Sequence, residues 1–191
     1  MQRVFLTDTE LYYNNLSLAY TFTYPTYTIN YSVASLQNNK GESLTPGSIT
    51  ASGFEKGKAF DIDVASKPKS VSMTASANTG YTFSGWTRGG ENKGSSTTLS
   101  LSLDDSLIES AATTVNYVAN FSRKSYTIST TSNNSSWGST KIDGGSASKT
   151  APYKDKLSLS AHPVSGYYFE KWSDGNTSNP RTVSVDGNAS Y

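Results

Sequence analysis

The sequence predicts a mainly β protein, built as tandem small β-rich repeat modules after an N-terminal β segment. Three observations predict it. Apolar and polar residues alternate with period two in many short runs. A Gly-Tyr-x-Phe-x-x-Trp motif occurs at Gly80–Trp86 and again at Gly166–Trp172. Hydrophobic residues make up only 35% of the 191 residues, against roughly 45–50% in average globular domains. A chain this polar fits several small cores better than one large one. Its thirteen Tyr and three Trp supply the large buried surfaces that small cores need.

The elements follow in chain order. Residues 1–24 carry Phe5, Leu6, Leu11, Tyr12, Tyr13, Leu16, Leu18, Tyr20 and Phe22, an apolar load too large to leave in water. The second half of the segment alternates as a strand does, and Pro25 stops it. The same alternation returns at Tyr27–Val33, Phe60–Val64, Val71–Ala75, Leu99–Leu103 and Val115–Phe121, then at Tyr126–Ser129, Leu157–Ala161 and Arg181–Val185. β-branched and aromatic residues between Gly, Asn and Pro favour strands over helices there. The stretch Asp104–Ala112 reads as a short helical turn or a loop, and Arg88–Gly94 as a hairpin tip.

Repetition organises the rest. Thr74–Trp86 aligns with Ser160–Trp172, so that Gly80, Tyr81, Phe83 and Trp86 meet Gly166, Tyr167, Phe169 and Trp172. Upstream, Tyr27-Thr-Ile29 matches Tyr126-Thr-Ile128 and Gly47-Ser48 matches Gly138-Ser139. The division is an attachment segment 1–24, a first module 25–123 with longer loops, and a second module 124–191. Tyr and Phe two apart share one face of a strand, and Trp can fold back over a small core. Tyr81, Phe83, Trp86, Tyr167, Phe169 and Trp172 are therefore the expected structural core. Tyr191 aligns with Tyr117, so the last strand reads as cut short and the chain is expected to continue.

These residues carry a family resemblance. The pattern from Tyr126-Thr-Ile through Leu157-Ser-Leu-Ser-Ala-x-Pro-x-x-Gly-Tyr-x-Phe-x-x-Trp-Ser-Asp-Gly175 to Asn179-Pro-Arg-Thr-Val-Ser-Val185 resembles the divergent internalin-B B-repeat, also called the Listeria–Bacteroides repeat. The match spans residues 125–191. In the first copy it covers residues 71–86 and Val118-Ala-Asn-Phe121. The resemblance implies a small β-rich unit related to β-grasp folds, found in tandem on bacterial surface proteins and in some phage proteins. It implies spacing, display or adhesion without catalysis.

The search for chemistry points the same way. Cysteine is absent and His162 is the single histidine, so thiolate chemistry is excluded and no Ser-His elbow motif is present. His162 takes the place of Ser76 and reads as a polar surface residue. Asp61 and Asp63 share a strand face and could pair, but the solvated face of an edge strand is favoured. Asp104-Asp105 lacks the surrounding loop of an EF-hand. No cofactor and no metal ligand set is expected. Tyr12, Tyr13, Trp137 and Tyr168 could stack on sugars. For Trp137 a core role is the favoured alternative.

A net charge of +1 gives no footprint for nucleic acid. No apolar run is long enough to span a bilayer. The first ten residues lack the apolar stretch of a signal peptide. The expected function is a non-enzymatic display protein, foremost a phage virion fibre or decoration attached through Phe5, Leu11, Tyr12, Tyr13 and Tyr20. A secreted bacterial adhesin and a carbohydrate-binding module are the alternatives. The expected location is extracellular, on a virion or a bacterial cell. Expected partners are other subunits of a larger assembly, with a host-surface glycan or protein beyond them.

Overall fold

The computed structural model describes residues 25–61, 69–103 and 112–191. Residues 1–24 with the attachment residues, Asp63 and the stretch 104–111 lie outside them. Among the described residues every regular element is a strand. The chain divides into two compact units. Of the described residues, the first comprises 25–34, 48–61, 69–76, 83–103 and 112–120, and the second comprises 35–47, 77–82 and 121–191.

The first unit grows from β1 (Thr26–Val33). β1 pairs in parallel with β10 (Ala112–Arg123), Ile29 facing Val115 and Tyr31 facing Tyr117. Its other edge takes β5 (Ala59–Asp61) antiparallel. β10 is flanked in turn by β7 (Tyr81–Arg88), which turns at Gly89-Gly90 into β8 (Glu91–Gly94). The tip is Gly89-Gly90 alone, and Glu91–Gly94, expected as part of the tip, is the returning strand. A second sheet orders β4 (Gly47–Ser52), β6 (Lys69–Ala77) and β9 (Thr98–Leu103). Alternation aims Tyr27, Ile29, Val71, Met73, Val115, Tyr117 and Leu103 inward, where they are buried with Trp86.

The second unit repeats this plan. β11 (Ser125–Ser129) pairs in parallel with β16 (Ala189–Ser190) and antiparallel with β13 (Ser148–Pro152). β14 (Lys156–Pro163) is the centre of a second sheet, between β12 (Gly138–Ile142) and β15 (Arg181–Ser184). Ile128 and Ala151 from the first sheet meet Ile142, Leu157, Leu159 and Val183 from the second in one core, which Trp172 and Val185 complete. The unit also holds a two-stranded hairpin, β2 (Leu36–Gln37) with β3 (Ser43–Leu44).

The two plans differ at one place. In the first unit β10 gives β7 a neighbour. In the second, β16 is two residues long, and residues 167–172 form no strand.

Candidate functional site

Each module contains the same aromatic staple. The Phe83 and Trp86 rings lie 5.5 Å apart at 59°, and Phe169 and Trp172 lie 5.1 Å apart at 56°. Trp86 Nε1 donates to the Ser96 carbonyl at 3.1 Å, and Trp172 Nε1 donates to the Ser178 carbonyl at 2.8 Å. Both indoles are buried and both phenyl rings are half-buried. A buried indole N–H needs an acceptor, and a loop carbonyl supplies it in each case. Behind Trp172, the Asp-Gly turn closes with Gly175 N donating to Trp172 O at 2.9 Å. Arg181 holds both oxygens of Asp174 at 2.7 Å, which keeps that carboxyl below the usual carboxylate range.

The turn before each staple is also repeated. Tyr81 N donates to Asn78 O at 3.1 Å and Tyr167 N donates to Val164 O at 3.1 Å. Gly80 and Gly166 sit at φ of +83° and +87°, where a side chain is strained. Asn78 N donates to Pro46 O and Val164 N to Trp137 O, each at 2.9 Å. The backbone around Pro46, Asn78, Gly80 and Tyr81 thus has the hydrogen bonds of the backbone around Trp137, Val164, Gly166 and Tyr167.

What lies on the two turns is different. Within the second unit, the Gly80 carbonyl accepts Lys124 N at 2.9 Å, and Tyr153 N donates to Lys124 O at 2.7 Å. The Tyr153 ring stands edge-on to Tyr81 at 5.4 Å and 85°. It sits so close to Gly80 that a Cβ there would meet it at 2.3 Å. Tyr81 is only 6% exposed. Burial foremost, then the Tyr153 phenol, raises the Tyr81 hydroxyl pKa against the pull of Arg123 and Lys154.

The hairpin loop of the same unit secures this cover. Asn39 Nδ2 donates to Lys156 O at 2.8 Å while Asn39 Oδ1 accepts Lys156 N at 2.8 Å, as a strand neighbour would. Asn38 Nδ2 donates to Lys154 O at 3.1 Å, and Asp155 Oδ1 accepts from Asn39 N at 3.0 Å and from Arg123 at 2.6 Å. Sequence reasoning missed this cluster. Asn38-Asn-Lys-Gly41 is a legible turn signal, but its partner lies 116 residues away.

On the second turn Tyr167 is 50% exposed, which corrects the expectation that it belongs to the core. The physical reason is its backbone. Tyr81 opens β7, whereas Tyr167 joins no strand and, among the described residues, has no edge-on ring over it as Tyr81 has in Tyr153. It stacks on Trp137 instead, 5.5 Å away and 17° from parallel. Trp137 is 42% exposed and Tyr168 83% exposed. The core role favoured for Trp137 is therefore not what the structure shows. Val164 completes the patch. His162 is exposed on the solvent side of β14, its Nε2 2.9 Å from the Ser160 hydroxyl. Among the described residues no cluster of three His, Cys, Asp or Glu side chains could hold a metal ion.

Residues 45–125 and 128–190 each match the family model described as the divergent InlB B-repeat domain. Together the two matches cover well over half of the chain. The chain belongs to the divergent InlB B-repeat family. B-repeats are surface-display and adhesion-type β modules, and here two stand in tandem. Among curated proteins and among solved structures nothing matches the chain. No helix among the described residues is long and apolar enough to cross a membrane.

Proposed function

We propose that this B-repeat protein is a non-enzymatic spacer and adhesion component of an extracellular assembly. In its most specific form it is a fibre or decoration of a virion, attached through residues 1–24. The observation that supports this reading is the repetition itself. The two modules keep the same staple and the same turn while their loops diverge. A stacking unit needs such constancy at its joints and little elsewhere, and a catalyst needs converging reactive groups. The apolar load of residues 1–24 suits a segment that is buried against a neighbouring subunit, by strand addition to a sheet edge.

A carbohydrate-binding role is the second reading, and the 83% exposure of Tyr168 favours it. Antibody against the modules, applied to purified particles and to intact host cells, tests the assignment. Labelling of particles supports the virion component. Labelling of cell walls alone selects the bacterial adhesin, and labelling of neither overturns display altogether.

A further inference from the structure

One turn in this protein is roofed and its twin is open. The roofed turn, Asn78–Tyr81, lies under Tyr153 and is joined through the Gly80 carbonyl to Lys124. The open turn, Val164–Tyr167, has the same hydrogen bond and the same glycine conformation. Among the described residues a Cβ on Gly166 would meet nothing within 4 Å, and the Gly166 carbonyl accepts no backbone hydrogen bond. The large apolar side chains exposed among the described residues are Trp137, Val164, Tyr167 and Tyr168, which all lie at this turn. A patch of that kind on an otherwise polar protein marks a contact surface.

We propose that Trp137, Val164, Gly166 and Tyr167 form the docking surface for a further B-repeat module, which seats an aromatic ring against Gly166 as Tyr153 is seated against Gly80. The inference rests on the spacer reading and supplies its joint. The occupant follows from the chemistry already present on the roofed turn, a Tyr-Lys-Asp turn whose tyrosine meets its target edge-on. A second copy of this chain fits poorly. Its Tyr153 is already engaged by its own Tyr81, and its first module carries Lys67 at the aligned position. A sugar fits less well than a ring edge, because Trp137 and Tyr167 already cover one face of each other. A module in tandem meets neither objection.

The test extends the full chain after Tyr191 with a further copy of residues 118–191. Tyr191 aligns with Tyr117, so the register continues. In the added copy Trp137→Phe removes its own exposed indole. Trp86 and Trp172 are buried, so acrylamide quenching reports chiefly Trp137. Docking is expected to lower the Trp137 quenching constant about twofold or more relative to the unextended chain. Tyr153→Ala in the added copy, or Gly166→Ala in the original, should restore full quenching. In the unextended chain, Gly166→Ala and the parent should quench alike, since among the described residues nothing lies within 4 Å of a Cβ at Gly166. Unchanged quenching on extension overturns the proposal, and so does protection that survives both substitutions. Protection by a soluble hexasaccharide, with none from the added module, assigns the face to a glycan and also overturns it. Particle labelling is independent of these outcomes, so failure of the joint and failure of the display reading remain distinguishable.

Discussion

At the scale of single residues, the indole of Trp172 does the most for the second unit. It fills the gap between two small sheets and satisfies its N–H on Ser178. Trp172→Ala should cost on the order of 3–5 kcal/mol, enough to unfold a unit of this size, and urea denaturation followed by circular dichroism measures it. Gly80 and Gly41 form a natural pair of probes. Both hold positive φ, +83° and +76°, but only Gly80 faces a ring. Each change to Ala carries the backbone strain of about 1–3 kcal/mol. Gly80→Ala must also displace Tyr153, so it should destabilise more than Gly41→Ala, and equal losses would contradict the close packing. Asp174 sets a pH signature. Its folded carboxyl pKa is lowered, first by the hydrogen bond from Arg181. Its contribution is present above the unfolded carboxylate range and is lost as pH falls through the lower folded value. Asp174→Asn should therefore lower stability at neutral pH, leave it unchanged below the folded value, and so flatten the acid limb, which urea midpoints measured against pH resolve.

At the scale of elements, the hairpin loop should matter beyond its length. The side chain of Asn39 replaces a missing strand neighbour for Lys156 through two hydrogen bonds. Asn39→Ala should cost about 1 kcal/mol and speed amide exchange at Lys156, which hydrogen-exchange measurements resolve. The strands themselves were legible in the sequence. Alternation located the strands now labelled β1, β6, β9, β10, β11, β14 and β15, because each has one buried and one solvated face. The pairs β2–β3 and β11–β16 were not legible, since two residues carry no period. Phe83, Trp86, Phe169 and Trp172 were readable from spacing, because the staple is local. Tyr167 was misread because burial at its twin depends on Tyr153, a contact that spacing around the motif cannot encode. Trp137 was misread for a related reason. Small cores need aromatic mass, but this module fills its core with Trp172 and aliphatic residues.

At the scale of the whole molecule, the compact units do not follow the repeat alignment. The second unit includes residues 35–47 and 77–82, which precede the second copy in sequence. A fragment starting at residue 124 lacks Asn38, Asn39, Tyr81 and Arg123, the groups that bracket the 153–156 turn. It should unfold at lower denaturant than the same unit in the full chain, and an equal midpoint would show that the bracket is energetically silent. Folding of this kind suits a spacer, in which each module is completed by its neighbour. The display reading needs, besides rigid modules, a segment that attaches them. Deletion of residues 1–24, followed by co-purification with the parent assembly, tests it most directly. The account predicts a remainder that keeps its β circular dichroism and cooperative unfolding yet no longer associates. A truncated protein that unfolds, or one that stays with the assembly, would contradict it.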